Sequence, residues 1–200
     1  AVAGTVVAAL AAAAASMWLW SWGGETGFGD PPMIVVDGYS QFFKVLIASA
    51  LALTALLSKS RVDEENVRPA EYHALLLLAS AGMMFAASAL DLLTLYLALE
   101  LTTLCSYILV GITVDRPRSN EAAIKYFLLG SFSSALFLYG IALVYGVTGT
   151  TNFEAIDLAI SEGGLARNKI LLAAIGLLAA GLAFKIAAFP FHAWAPDAYQ

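Results

Sequence analysis

Long apolar runs constrain this chain more than any other feature of its sequence. A helix needs about 20 residues to cross the hydrocarbon core of a bilayer, and about six runs approach or exceed that length. They are Ala1–Trp20, Tyr39–Leu57, Tyr72–Leu90, Leu92–Ile112, Ala122–Val147 and Ile170–Phe189. Transmembrane β-strands would instead read as alternating segments of about ten residues. These continuous runs, rich in Ala and Leu, predict an all-α polytopic membrane protein.

The composition argues against an ordinary water-soluble domain. Hydrophobic residues make up 60% of the 200 residues and charged residues only 12%, and the mean hydropathy is +0.80. Soluble domains carry about 25% charged residues, so an exterior that faces lipid resolves the conflict. The net charge of −5 argues against a nucleic-acid-binding surface. The single cysteine, Cys105, excludes an intrachain disulfide and a multi-cysteine metal site.

The connections between the runs differ in their basic residues. The connection Ser21–Gly38 contains no Lys or Arg, although it contains Glu25 and other acidic residues. The connections Ser58–Glu71 and Thr113–Glu121 contain Lys59, Arg61, Arg68, Arg116 and Arg118. Because basic residues favour cytoplasmic loops, we expect these two connections to face the cytoplasm and Ser21–Gly38 to face the opposite side. Six alternating runs then place Ala1 on the cytoplasmic side.

A carboxylate lies deep in the fourth run. Glu100 is roughly 13 Å from Leu92 at the rise of an α-helix. An isolated ionised carboxylate at this depth costs at least a few kcal/mol, so Glu100 is expected to be paired, neutral or in contact with water. By spacing, Tyr96, Thr103 and Tyr107 share its helical face. Two interpretations remain open: a functional proton site, or a structural glutamate that holds helices together.

Lys185 in the last run is the natural partner of Glu100. Pro190 lacks an N–H group and blocks the carbonyl of Ile186, so we predict a helix break or sharp bend between Lys185 and Trp194. Broken helices at membrane depth line cavities or are buried in protein. Burial at this depth disfavours the charged form of a lysine, whereas a nearby carboxylate favours that form. These opposing effects suit reversible proton binding. The alternative is a lysine whose charged end reaches the membrane interface.

Two further residues are candidates for proton transfer. Lys125 lies a few residues inside the fifth run, four residues after Glu121, a spacing that favours an ion pair on a helix surface. It is either an interfacial lysine or a second proton site. His192 follows Pro190, and histidine is a common proton carrier in proteins. A hydrogen-bonding scaffold role is the alternative for His192.

Sequence motifs for common cofactors are absent. The chain contains no dinucleotide fingerprint, P-loop, zinc-protease motif or Cys/His cluster. Residues that would bind nicotinamide, flavin, iron–sulfur clusters or haem are therefore missing. Any redox chemistry is expected to belong to partner subunits.

Three segments resemble the antiporter-like subunits of respiratory complex I. Leu95–Leu101 with Ser106–Gly111 resembles the fifth transmembrane helix of that family, and Glu121–Gly130 resembles the start of the sixth. Phe184–Asp197 resembles the seventh, which is discontinuous in the family. The ending Trp194–Gln200 is similar to the N-type subunit. The resemblance covers residues 92–200, which it identifies as the start of the proton-translocating core.

The resemblance assigns roles to matched positions. In the family, the glutamate of helix five pairs with the lysine of helix seven, and a lysine of helix six lies between them; Glu100, Lys185 and Lys125 match these positions. The family fold has about fourteen transmembrane helices. The resemblance therefore implies that residues 1–200 form a fragment with helices two to seven, and that one N-terminal helix and helices eight to fourteen lie outside it.

The resemblance also implies a function. The chain is expected to be a proton-translocating subunit of an NADH:quinone oxidoreductase, a translocase that couples quinone reduction to proton transport. NAD, FMN, iron–sulfur clusters and quinone are expected in partner subunits, and L-, M- and K-type subunits and the lipid bilayer are the expected partners. A bacterial inner membrane is favoured over an organellar one. The alternatives are a multisubunit cation/proton antiporter and a structural membrane scaffold.

Overall fold

The computed structural model describes residues 1–23, 26–65 and 67–199 and is mainly helical. Glu25 and Gln200, named above, lie outside these ranges. In chain order the elements are α1 (Val2–Ser21), β1 (Thr26–Gly29), β2 (Pro32–Val36), α2 (Gly38–Leu57), α3 (Lys59–Glu64), α4 (Pro69–Ala86), α5 (Leu92–Val110), α6 (Pro117–Thr148), α7 (Phe153–Glu162), α8 (Lys169–Lys185) and α9 (Ala195–Ala198). Each predicted apolar run contains one long helix, so the predicted all-α membrane fold is confirmed.

Length and composition single out four of the long helices as membrane spans. Within the described ranges, α1, α2, α5 and α6 are long and apolar enough to cross a bilayer. The polar side chains of Glu71, Tyr72 and His73 in the first turns of α4 lower its average hydropathy. Helix α8 is short, with 17 residues, because it ends at Lys185.

Polar side chains fix where several helices begin. The Asp37 carboxylate accepts a hydrogen bond from the Ser40 backbone N–H at 2.7 Å and starts α2 with a capping box. The Asp91 carboxylate accepts from the backbone N–H groups of Leu93 at 2.8 Å and Thr94 at 3.1 Å. Asp91 therefore ends the tight turn between α4 and α5, and α5 starts directly after it.

The predicted helix break is confirmed, and it is a Schellman motif. Helix α8 ends at Lys185, and Ala187 adopts a left-handed conformation with φ 51°. The N–H of Ala188 donates to the Ala183 carbonyl at 2.8 Å, and the N–H of Ala187 donates to Phe184 at 3.0 Å. These two bonds satisfy carbonyls at the helix end. Turns then lead to the short helix α9.

Helix pairs pack closely where small residues lie between them. Helix α1 packs along α2, α4 along α5, and α6 along α8. A Cβ atom at Gly181 would lie 2.6 Å from the Cβ of Phe137, so glycine is needed for the observed approach of α8 to α6. Around this contact, a buried core is formed by Leu92, Phe137, Ile141, Val144, Leu171 and Ala174.

The connections gather at two opposite ends of the bundle. Arg116 Nη2 lies 2.6 Å from Glu65 Oε2, so the two basic connections meet at one end, as predicted. At the other end, β1 and β2 form an antiparallel hairpin that the sequence did not predict. The Val35 N–H donates to the Ser88 carbonyl at 2.8 Å, which joins the hairpin to the turn between α4 and α5. The hairpin therefore lies at the end of the bundle opposite the basic connections.

Candidate functional site

Glu100 and Lys185 meet in the interior of the bundle. Lys185 Nζ lies 2.9 Å from Glu100 Oε1, and the two side chains are 10% and 19% exposed. Lys185 also donates to the Thr103 hydroxyl at 2.9 Å, and the Ser134 hydroxyl donates to Glu100 Oε1. Helices α5, α6 and α8 therefore all contribute to this site.

The end of α8 explains the position of Lys185. Its side chain leaves the last turn of the helix, where the carbonyl groups favour a positive charge. The close approach at Gly181 brings α8 against α6, and the Ser133 hydroxyl donates to the Gly181 carbonyl at 3.2 Å. Ser134, the next residue on α6, is thereby held beside Glu100.

The three residues predicted to share a helical face with Glu100 lie in different environments. Thr103 joins the ion pair through its hydroxyl group. Tyr96 lies against Phe137, with ring centroids 6.1 Å apart. Tyr107 is buried against Tyr126, with centroids 4.5 Å apart. Only Thr103 of these three residues hydrogen-bonds to the pair within the part of the chain that the structure describes.

Lys125 lies at a separate charged cluster. Its Nζ atom is 2.7 Å from Glu121 and 3.0 Å from Asp197, and its side chain is 46% exposed. Ser134 lies nine residues further along α6, or roughly 13 Å at the helical rise. The structure therefore does not bring Lys125 into contact with the Glu100–Lys185 pair. Its role as a relay residue stays a prediction.

His192 is exposed on the segment that follows the helix break. Its ring lies beside Phe189, with centroids 5.7 Å apart, and its backbone carbonyl accepts from the Ala195 N–H at 3.0 Å. The structure does not place it against Glu100 or Lys185. A role for His192 in proton transfer also stays a prediction.

A polar cavity of about 530 Å³ opens at the end of the bundle that carries the basic connections. We call it the vestibule. Lys125 lines it, together with both connections, which contribute Glu65 and Arg116. The charged residues of its lining are Arg61, Arg116, Arg118, Lys125, Glu65, Glu121 and Asp197. The charged end of Lys125 therefore faces an open cavity lined by both basic and acidic residues.

Four aromatic residues form a buried cluster below the vestibule: Tyr107, Tyr126, Phe184 and Trp194. Trp194 stacks on Tyr126, with centroids 4.2 Å apart, and its indole N–H donates to the Phe184 carbonyl at 3.2 Å. These contacts fix the segment after the helix break against α6. Sequence reasoning missed this role of Trp194, for which its position between Pro190 and Pro196 was the only signal.

Comparisons with known proteins identify the family. A family profile described as "NADH:quinone oxidoreductase/Mrp antiporter, TM" matches residues 89–200. NADH-quinone oxidoreductase subunit N 2 of Rhizobium meliloti is 47% identical over 84% of this chain and 35% of its own length. Subunit N 1 of Sorangium cellulosum is 44% identical over 98% of this chain and 40% of its own length. The chain thus spans well under half the length of these relatives.

Solved structures give the same result. A chain of respiratory complex I from Thermus thermophilus is 37% identical, with a TM-score of 0.81 over all of this chain and 41% of that one. A chain of an archaeal membrane-bound sulfane sulfur reductase is 27% identical, with a TM-score of 0.87 over 98% of this chain and 41% of that one. A chain of the Mrp complex from Dietzia is 26% identical, with a TM-score of 0.73 over 99% and 37% of the two chains.

The N-type resemblance noted from the sequence is confirmed by the relatives, which are N subunits. The matched region includes Glu100, Lys125, Lys185 and the helix break. The profile also covers more than half of the 200 residues. The chain is therefore a member of the NADH:quinone oxidoreductase/Mrp antiporter transmembrane family, and its relatives are N subunits of NADH-quinone oxidoreductase.

Proposed function

We propose that this chain belongs to a proton-translocating membrane subunit of an NADH:quinone oxidoreductase. The observation that carries the proposal is the contact of 2.9 Å between Lys185 Nζ and Glu100 Oε1 inside the bundle. A carboxylate and an ammonium group at membrane depth are costly to keep, so such residues are functional candidates by default.

The pair would act as a switch for one proton. Two opposite charges in a low-dielectric site hold each other ionised, and their proton affinities belong to the pair. If a movement in a neighbouring subunit draws Glu100 away, Lys185 loses its stabilising partner and one of its N–H bonds releases a proton. The Thr103 hydroxyl, 2.9 Å from Nζ, is a nearby acceptor. Return of Glu100 favours reloading of Lys185, and a tenfold change in proton affinity requires only about 1.4 kcal/mol.

Lys125 is proposed as the next proton site. Its position in the lining of the vestibule gives it access to water, and Glu121 and Asp197 stabilise its charge. His192 is a further candidate at the helix break. We assign NAD, FMN, iron–sulfur clusters and quinone to partner subunits, and we propose L-, M- and K-type subunits as neighbours in a bacterial inner membrane.

The deciding experiment replaces Glu100 by Gln in the full-length subunit and assembles the complete complex in proteoliposomes. Protons translocated per NADH oxidised are then measured. We expect Glu100→Gln to assemble and to lose most of its pumping, because a neutral amide cannot hold Lys185 charged. Glu154→Gln, on the exposed start of α7, is the matched control and should pump normally. Full pumping by assembled Glu100→Gln would exclude the pair from the mechanism.

A cation/proton antiporter without redox partners is the second candidate, because this chain also resembles the Mrp complex of Dietzia. Cation-dependent proton exchange in vesicles that lack NADH and quinone would favour this alternative. A purely structural role for the pair predicts a different result. In that case, Glu100→Gln would lower assembly, and the complexes that do assemble would pump as the unmodified complex does.

A further inference from the structure

The hydroxyl group of Tyr107 has no hydrogen-bond partner within the described residues. The residue is 6% exposed and lies in the last turn of α5, among the buried aromatic cluster next to the vestibule. A buried hydroxyl group without a partner costs about 1–3 kcal/mol, and such groups in native proteins call for an explanation, such as bound water or a functional role.

Helix α6 leaves a specific space for this hydroxyl. A Cβ atom at Gly130 would overlap the Tyr107 hydroxyl oxygen, so a larger residue at that position would displace it. The ring itself is held by edge contacts with Tyr126 at 4.5 Å and with Phe127 at 5.7 Å between centroids. The Tyr107 side chain is therefore fixed while its polar atom remains unpaired.

Tyr107 lies between the vestibule and the Glu100–Lys185 pair. Val110, one turn after Tyr107 on α5, lines the vestibule. Thr103, one turn before Tyr107 on the same face, accepts a hydrogen bond from Lys185 Nζ at 2.9 Å. From the vestibule inwards, the order on this face of α5 is thus Val110, Tyr107, Thr103 and Glu100.

We propose that the Tyr107 hydroxyl passes protons between water in the vestibule and the Thr103–Lys185 hydrogen bond. This inference rests on the proposed function of the pair. An O–H bond of a vestibule water breaks, leaving hydroxide in the vestibule, and its proton forms a new O–H bond on Tyr107 as the original O–H proton moves to the Thr103 oxygen. The Thr103 proton then moves to the neutral amine of Lys185, which gains an N–H bond. Each hydroxyl loses one proton and gains one, so no oxidant or reductant is needed.

The test is Tyr107→Phe in the full-length subunit of the assembled complex. Tyr139→Phe is the matched control, because Tyr139 lies on α6 and is 59% exposed. We expect the rate of proton translocation to fall by about tenfold in Tyr107→Phe, less than the ~100-fold typical of a proton-transferring side chain, since water in the vacated position carries part of the flux. In D₂O, the translocation rate of Tyr107→Phe should fall by a larger factor than the rate of the unmodified complex does. Tyr139→Phe should match the unmodified complex in both measurements.

Two results would overturn the inference. One is full pumping with an unchanged D₂O effect in Tyr107→Phe while Glu100→Gln loses pumping, since the pair would then act without this hydroxyl. The other is loss of assembly in Tyr107→Phe, which would show a structural role for the group. Failure of the proposed function itself is distinguishable, because Glu100→Gln would then pump fully whatever Tyr107→Phe does. The double variant Thr103→Val/Tyr107→Phe should pump as well as the more impaired of the two single variants, as expected for two steps of one path.

Discussion

Lys125 on α6 and Asp197 in α9 form an ion pair of 3.0 Å that joins residues 72 positions apart. The contact connects the start of the fifth apolar run to the segment after the helix break. It lies in the lining of the vestibule, where the Glu121 carboxylate also contacts Lys125 at 2.7 Å. The charge of Lys125 is therefore stabilised outside the Glu100–Lys185 pair.

This arrangement predicts a graded result for Lys125. Lys125→Ala should lower proton translocation less than Glu100→Gln does, because water in the vestibule can replace an exposed lysine. Lys125→Arg keeps the positive charge and can still reach Asp197, but a guanidinium group does not release a proton. It is therefore the control for charge alone, and it should pump no better than Lys125→Ala. Proton translocation per NADH in proteoliposomes measures both variants. A loss in Lys125→Ala as complete as that in Glu100→Gln would contradict a bypass through water.

The long helices and the break after α8 were predictable because their causes are local. Continuous apolar residues over the length of a bilayer specify a helix wherever it packs, and Pro190 interrupts one whatever its neighbours are. The contact between Glu100 and Lys185 was also predictable, since each deeply placed charge requires a partner. Neither argument depends on the detailed path of the chain.

The contacts that sequence reasoning missed depend on that path. The pairing of Lys125 with Asp197 requires the direction that the left-handed conformation of Ala187 gives to the following segment. The β1–β2 hairpin depends on partners outside it, such as the Ser88 carbonyl that accepts from Val35. The vacant position that Gly130 leaves for the Tyr107 hydroxyl exists only when α5 and α6 are packed. None of these features follows from residue spacing.

Because Glu100 and Lys185 form a buried ion pair, we predict that changes to Lys185 affect the stability of the complex and its proton transport differently. Lys185→Met leaves the Glu100 carboxylate without its cation, which costs up to about 3–5 kcal/mol and should lower the melting temperature of the complex. The double variant Glu100→Gln/Lys185→Met removes both charges and should recover much of that stability, but it should not pump. Lys169→Met, on the exposed first turn of α8, is the control. A double variant that is no more stable than Lys185→Met would contradict a buried ion pair.

The helix break predicts a stabilising substitution. Ala187 adopts φ 51°, a region that costs an alanine roughly 1–2 kcal/mol and that glycine occupies readily. Ala187→Gly should therefore stabilise the subunit by about 0.5–1 kcal/mol, after allowance for the greater freedom of glycine in the unfolded chain. Ala188→Gly lacks this benefit and should be neutral or destabilising. Melting temperatures of the two variants test the prediction, and a lower value for Ala187→Gly than for the unmodified protein would refute it.

The packing of α8 on α6 predicts that transport depends on a residue without a polar side chain. A Cβ atom at Gly181 would lie 2.6 Å from the Cβ of Phe137, so Gly181→Ala must push the two helices apart. Overpacking of this kind typically costs about 1–3 kcal/mol. The shift would also move Lys185, one turn later on α8, away from Ser134 on α6. Gly181→Ala should therefore lower both the melting temperature and proton translocation.

Gly176→Ala supplies the matched control for that experiment. It introduces the same methyl group on the same helix, but among the described residues no atom apart from the adjacent residues and backbone of its own helix lies within 4 Å of the new Cβ position. An alanine inside a helix is favoured over glycine by about 0.5–1 kcal/mol, so Gly176→Ala should be neutral or stabilising and should pump normally. Equal melting temperatures and equal pumping in the two variants would show that the close approach at Gly181 does not position Lys185. A loss confined to Gly181→Ala would tie proton transport to the distance between α6 and α8.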